Sequence, residues 1–508
     1  MGLDGALSIA SGSLANINAR LNLVSNNVAN AATPDYSVET STQESLVAGT
    51  QGLGARTGAA TRAIDLALQQ SVFQQGATVT GLTTTTGGLS AVDAVLGTPG
   101  QGNDLGSLLG NVRDAFSALL GDPSSGSRQA TAVSAAGTLA GGINALSEAY
   151  TQQRQTAQND IVGMVTTMNT RLSQIGVLSN HIVAARSGGQ STADLENQRD
   201  ASVHALSNVL GIKTLNQPNG DLIVTTGSGT QLPTRAATGP VVTSAATLGA
   251  GAYYPGGGLP PITVNGIDIT TRIQGGQLGA DIALRDTTLP TFQAELDEFS
   301  FSLAARFDAQ GLTLFTDPNG DVPAGGGAPV QSSYTGFAAA IQVNPAVATN
   351  VTLARDGTRD VGGSATGAAN FTVNPPGGPA GFTALIGRVL TFALGAQAQS
   401  GVAQRAGATL GLGPAGNLSA PYGPSGTLAD HAAAMVSAQA AVSATAARQL
   451  SIEQAVQTTL TNNLTASSGV NMDTEMSHMI QLQNAYGANA RIIAAVQALF
   501  AELLQAVR

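Results

Sequence analysis

A chain of 508 residues with no cysteine, Lys213 as its one lysine and a formal net charge of -10 excludes disulfides, thiolate metal sites and cysteine nucleophiles. It also lacks the clustered Lys and Arg on which nucleic-acid affinity rests. Aromatics make up 4% of a chain that is 43% hydrophobic and 10% charged, so the core must be built from small side chains on long helices.

The length suits about three or four domains at roughly 150 residues each. The opening stretch, MGLDGALSIASGSLANINARL, carries Asp4, no early basic residue and polar interruptions throughout, which reads against a secretory signal. No uninterrupted apolar run approaches the roughly 20 residues of a membrane span, so no span is expected.

Leu3, Leu7, Ala10, Leu14, Ile17, Leu21, Val24 and Val28 follow a four-three spacing, the mark of a helix with one narrow apolar stripe. Pro34 forces Thr33 out of helical geometry and ends this helix near Asn30. The Asn and Thr side chains of LNLVSNNVANAATPDYS (21–37) can take over the backbone groups of the exit turn. Next, Gly52, Gly54 and Gly58 precede a helix. The third glycine comes one residue late for a dinucleotide loop and no Rossmann unit surrounds it, so a structural turn is expected.

From 127 to 210 the pattern is helical, through Leu139, Ile143, Leu146 and Tyr150, then Ile161, Val165, Met168, Leu172, Ile175 and Ile182. Two long antiparallel helices would fit. Ser191 or Thr192 precedes acidic residues in the manner of a capping box. Glu196, Arg199 and Asp200 on a polar helical face read as a solvated salt-bridge cluster rather than a hydrolytic carboxylate pair.

After Gly211 the period changes to that of strands, with hairpin dipeptides at Asn219-Gly220 and Asn265-Gly266. Helix returns over 286–309, where Phe292, Leu296, Phe299, Leu303 and Phe307 share a side. DPNGD (317–321) lacks the remaining ligand spacing of a calcium loop and reads as a turn. From 322 to 425 Gly, Pro and Ala give loops and short strands, with a helix expected at FTALIGRVLTFAL.

The far end repeats the stripe: Met472, Met476, Met479, Gln483, Tyr486, Ala490, Ile493, Gln497, Phe500, Leu504 and Val507. Polar residues such as these two Gln fix register in a seam at some cost in stability, and Asp473 and Glu475 suit the positive end of the helix dipole. Two matched stripes at opposite termini point to helices that pair with each other or with neighbouring copies. Both must leave toward the same outer domains, so antiparallel pairing is expected. A lone terminal helix would be marginal, so order is expected to come with assembly.

Catalytic signals are poor. His181, His204, His431 and His478 show no metal spacing, and neither a Gly-x-Ser-x-Gly elbow nor a Gly-Lys-Ser/Thr loop occurs. No catalytic, cofactor-binding or metal residue is assigned.

The stretch 21–37 resembles the N-terminal signature of the flagellar rod, hook and hook-associated proteins, through Ser25, Asn26, Asn27, Ala29, Asn30, Thr33, Pro34 and Tyr36. Asp35 stands where that signature usually has Gly, and Asp tolerates a left-handed turn better than most residues. SSGVNMDTEMSHMIQLQNAYGANARIIAAVQALFAELLQ resembles the matching C-terminal signature. Arg62 and Asp65 fit the Arg-x-x-Asp that follows a Gly-rich strand in these proteins. DLENQRDASVHALSNVLGIKT (194–214), GGQLGADIALRDTTLPTFQAELDEFSFSLAARFDAQG (275–311) and, more weakly, IQVNP (341–345) are similar to segments of the hook-associated protein 1 family.

The resemblance implies a structural, non-enzymatic component of the bacterial flagellum at the junction between hook and filament. A hook or distal rod subunit is the alternative, and a flagellum-anchored enzyme or adhesin ranks lower. It implies a helical ring of copies, contact with the hook protein and with the next hook-associated protein or the filament, an export chaperone, and export to the outside without a cleaved signal. The assembly seam would comprise Leu3, Leu7, Leu14, Ile17, Leu21, Val24, Val28, Met476, Met479, Tyr486, Ile493, Phe500 and Leu504.

The expected fold is α+β and multidomain. Residues 1–40 with 430–508 would form a terminal coiled coil, and 41–215 with 275–310 and roughly 340–429 a mainly helical domain. Residues 216–274 would form an inserted β-rich domain, and 311–339 a loop or hairpin region.

Overall fold

The computed structural model describes residues 3–48, 51–97, 101–235, 237, 239–362 and 370–506. Helix α1 (Leu3–Ala29) is followed by an exit turn and a long antiparallel hairpin of β1 (Glu39–Ala48) with β2 (Gln51–Arg62), in register at Glu39 and Arg62. Asp65 then caps α2 (Leu66–Leu96), its carboxylate accepting from the Ala67 and Leu68 N–H groups at 3.0 Å. Asp104 caps α3 (Leu105–Gly121) in the same way.

The stretch expected as two long helices is one, α4 (Gly126–Ser187), 62 residues long. At 1.5 Å per residue it extends roughly 93 Å. Its internal glycines do not break it, because partners close in where side chains are missing: Leu108 stands against Gly142, and the Thr234 carbonyl against Gly176. The break comes at Gly188 and Gly189, the latter at φ +67°, and the shorter α5 (Ala193–Val209) then packs back on α4.

The β-rich segment begins with the hairpin β3 (Ile212–Asn216) and β4 (Leu222–Thr226). A three-stranded sheet of β5 (Val241–Val242), β6 (Thr263–Val264) and β7 (Ile267–Asp268) follows, turning at Asn265 (φ 51°) and Gly266 (φ 76°). The described residues of this segment form no core of their own. Val224, Val241, Ile262 and Ile269 share one core with Ile161, Val165, Met168 and Leu172 of α4. Polar residues of α4 add side-chain bonds to its backbone, Asn169 to the Val241 carbonyl at 2.8 Å and Gln158 to the Ser244 carbonyl at 2.9 Å.

Helix α6 (Gly276–Ala283) continues through a π turn (Leu284–Thr288) into α7 (Leu289–Asp308). Phe292, Leu296, Phe299, Leu303 and Phe307 all enter a second core with α3 and the first half of α4. Helix α7 is buried on nearly every side, including Glu295, Asp297 and Glu298. Residues 311–339 belong to this core through Leu312, Leu314, Phe315, Tyr334 and Phe337. Within them, DPNGD closes a turn in which Asp317 accepts from the Asn319 and Asp321 N–H groups at 2.9 Å.

Short elements then alternate. Strand β8 (Phe315–Thr316) pairs with β9 (Gln342–Val343), β10 (Gln397–Gln399) with β11 (Val402–Ala403), and β12 (Leu410–Leu412) with β13 (Leu418–Ser419). Helices α8 (Phe337–Ala340), α9 (Pro345–Thr349), α10 (Leu353–Asp356) and α11 (Ala384–Arg388) lie among them, the last extended by a π turn through Ala393.

The chain ends in α12 (Leu428–Ser468) and α13 (Met472–Ala506). Helix α12 packs along α2, so residues 430–468 lie with the helical body rather than with the terminal pair. The hairpin 39–62, expected in the middle domain, lies instead against α1. Both differences have one cause: the sequence pattern shows apolar faces but not which face meets which. By composition, one 18-residue window between Leu428 and Gln505 is apolar enough for a membrane span, though only 6% of it is buried. Polar and charged residues interrupt its apolar ones, so no uninterrupted apolar run of that length occurs.

Candidate assembly site

Helices α1 and α13 pair antiparallel, with the C-terminal end of α1 against the N-terminal end of α13. Asn27 donates to the Glu475 carboxylate at 3.2 Å, and Ile17 and Val24 pack with Leu482 beside Leu21, Val28, Met479 and Ala485. Along α1 the structure places every described stripe position inward: Ala10, Ile17 and Val24 are buried, and Leu3, Leu7, Leu14, Leu21 and Val28 are partly buried.

Helix α13 meets α1 on a face different from the stripe read in the sequence. Glu475, Leu482 and Val496 are buried there, with Met479, Ala485, Asn489, Ile493 and Phe500 partly buried. Met472, Met476, Tyr486 and Leu504 are 43, 45, 41 and 69% exposed in the single chain. Val507 lies outside the described residues. The rotation exposes Gln483 and Gln497 and substitutes Leu482 and Val496 for them, which avoids burying two amides without partners.

Where the pair joins the body, a polar network forms around the exit turn. The buried Asn27 amide donates to the Glu39 carbonyl at 2.9 Å, and its oxygen accepts from the Glu39 N–H at 3.1 Å and the Tyr36 hydroxyl at 3.0 Å. From α5, Asn197 accepts from the Ser37 N–H at 3.2 Å and donates to the Ser37 carbonyl and the Glu39 carboxylate, both at 3.1 Å. Arg62, its side chain 5% exposed, reaches Glu196 at 3.1 Å, Asn197 at 3.2 Å and Asp200 at 2.6 Å. The polar cluster read as a solvated surface is therefore largely enclosed: the hairpin covers that side of α5. Burial, then the Asp194 charge, raises the Glu39 carboxyl above the usual range, while the Asn197 bond opposes the rise. Burial also raises the Tyr36 phenol.

The other connection is tied to the same place, since the Val38 N–H donates to the Ser468 carbonyl at 2.8 Å just before α13 begins. Of the signature residues, Asn27 and Tyr36 turn into this network. Asn30 and Thr33 close the turn through a 3.1 Å side-chain bond, while Ser25, Asn26, Ala29 and Pro34 stay exposed. Asp35 adopts φ +64°. No motif marks the parts played by Ser37, Asn197 and Ser468, ordinary polar residues whose importance lies in what they meet.

The profile of the family described as the flagellar hook-associated protein FlgK helical domain matches residues 89–322. That of the flagellar basal body rod FlgEFG protein C-terminal family matches 463–506. Over residues 89–322 the helical body is therefore similar to the FlgK helical domain. The two matches fall on distinct structural units of the chain: the first runs from within α2 past the end of α7, the second over the end of α12 and all of α13. A solved structure, the flagellar hook junction protein FlgK from Burkholderia pseudomallei, is similar at 25% identity over 50% of this chain and 45% of that one, with a TM-score of 0.41. The alignment thus spans under half the length of that solved chain. No curated protein matches.

Proposed function

We propose that this protein is a structural subunit of the bacterial flagellum, standing at the junction between hook and filament and built into the axial structure through α1 and α13. The observation that carries this reading is the paired termini, which leave a further set of apolar side chains on α13 uncovered in the single chain. Besides the four exposed stripe residues, Ile480 is 55%, Ile492 49%, Leu499 50% and Leu503 55% exposed. Apolar surface of that extent on one helix marks an interaction site, and neighbouring copies in a helical ring would cover it. The helical-domain match favours a hook-associated protein over a hook or distal rod subunit.

On this reading the seam comprises Leu3, Leu7, Leu14, Ile17, Leu21, Val24 and Val28 with Met479, Ile493 and Phe500 inside the pair. Met476, Tyr486 and Leu504 face the next copy. The partners are copies of the chain, the hook protein below, and the next hook-associated protein or the filament above. An export chaperone holds the termini before assembly, and export to the outside proceeds without a cleaved signal. The role needs no cofactor and no catalysis.

Electron microscopy of a deletion strain tests the assignment. Hooks that form but carry no filament are expected. Normal filaments would overturn the proposal, and an axial structure that stops before the hook would replace it with a rod or hook role.

A further inference from the structure

The joint between the terminal pair and the helical body holds a contact that the network above does not use. Asp35, at the left-handed φ of +64°, places both carboxylate oxygens on His204 Nδ1, at 2.8 and 2.7 Å. A non-glycine residue in that region carries a steric cost that glycine does not, so its presence calls for a compensating contact. The His204 ring is fixed where three helices meet. It stacks on Phe73 of α2 at 5.3 Å between centroids and 21° between planes. A Cβ on Gly76 would come within 3.8 Å of His204 Nε2 and 3.7 Å of Gln457 Nε2 of α12. Beside the pair lies a cleft of about 300 Å³, bordered by the exit turn through Pro34 and Tyr36 and by α12 through Leu464 and Ser468. Both chain connections at this level, the exit turn and the Gly469–Val470 link, line that cleft, so the turn has open space to move into.

We propose that Asp35 and His204 are positioning residues: together they form a catch that holds the exit turn on the helical body and fixes the direction in which α1 leaves it. His204 supplies a rigid anchor because the stack on Phe73 holds its ring. Asp35 supplies the reach, since a left-handed residue turns its side chain away from the path of the turn and across to α5. Without the catch, the Asn27 and Asn197 bonds still hold residues 36–39, but residues 31–35 gain freedom toward the cleft. The catch belongs to the single chain and does not depend on assembly.

Amide exchange by mass spectrometry on the full chain tests it, following peptides over 31–37 with those from α3 and α4 as internal controls. Asp35→Gly removes the carboxylate while suiting the backbone better than Asp does, so general destabilisation is not expected. Exchange over 31–37 should quicken by 10-fold or more in Asp35→Gly and in His204→Gln, with the control peptides and Tm unchanged. Asp35→Asn, which keeps an acceptor for Nδ1–H, should restore most of the protection. In the His204→Gln background, Asp35→Gly should add nothing further. Unchanged exchange in Asp35→Gly, or equal additional losses from the two substitutions when combined, would overturn the proposal.

Discussion

Replacing Asn197 by Ala tests whether a single side chain on α5 clips the hairpin and exit turn to the helical body. Asn197, Ser37 and Glu39 are 5, 4 and 6% exposed. The substitution leaves three groups without the partner they have now: the Ser37 N–H, the Ser37 carbonyl and one Glu39 carboxylate oxygen. Arg62 loses one bond but keeps Glu196 and Asp200. A buried polar group left unsatisfied costs about 1–3 kcal/mol, and water entering the vacated volume recovers part of it, so the total loss should be about 3–5 kcal/mol. Because the joint can open while both cores stay folded, the loss should appear as local opening rather than as a lower global Tm. At about 1.4 kcal/mol per decade, that is roughly a 100- to 4,000-fold fall in amide protection. It should be confined to peptides covering 35–40 and 60–65, with α3 and α4 unaffected. Asn197→Asp should be at least as harmful at neutral pH, since it removes both donated bonds and adds a charge beside Glu39, Glu196 and Asp200. Protection within threefold of the parent in both variants would refute the reasoning, and would mean that Asn27 and the strand pairing hold the joint unaided.

The buried carboxyls make a pH prediction: burial pushes Asp281, Glu295 and Asp297 up to about 7, from unfolded values near 4. Their stabilising contribution is complete below the unfolded value and lost as pH rises from there through 7, so Tm should fall from about pH 4 to about pH 7 and level off above. Glu295→Gln should flatten that fall and add about 1–3 kcal/mol at pH 8 in denaturant titrations. His431, pushed down to about 4 by burial and then by Arg306, acts in the opposite sense, its contribution lost as pH falls from 6.5 through 4. In α4, a Cβ at Gly176 would sit 1.8 Å from the Thr234 carbonyl oxygen, whereas Gly163 has open space. Gly176→Ala should therefore cost more than 2 kcal/mol and Gly163→Ala should gain up to about 1 kcal/mol, measured by chemical denaturation. Ile493→Asp puts a charge into the partly buried α1–α13 face, a loss of several kcal/mol. The variant should be exported but remain in the culture medium, as immunoblotting of medium and sheared filament fractions would show.

Periodicity is legible where a helix has one apolar face and hidden where it has several. On α1 the residues between stripe positions are mostly Ser, Asn, Gly and Ala, so one stripe stands out, and it is the stripe that turns inward. Helix α13 carries Met, Ile, Leu and Tyr on several faces, and counting sevens from Met472 chose a stripe that needed two Gln in the seam. The packed face avoids them by taking Leu482 and Val496. The length of α4 is hidden for a related reason: its periodicity does not mark where one helix ends, and at Gly142 and Gly176 a missing side chain admits a neighbour instead of a break. The α7 pattern gave the five aromatic and Leu positions of the core but not the burial of Glu295, Asp297 and Glu298 on the remaining sides. That burial depends on residues 331–338 and 407–439 folding over them, far away in sequence. The joint is the extreme case. Its N-terminal half could be marked out because LNLVSNNVANAATPDYS has an unusual density of turn-forming side chains. Its other half is Asn197, Arg62, His204 and Ser468, separated by as many as 406 positions (468 minus 62), and no periodicity links residues that serve by meeting across a fold. A site built to hold two parts of a chain at a fixed angle is therefore visible in sequence only on the side where the backbone must turn.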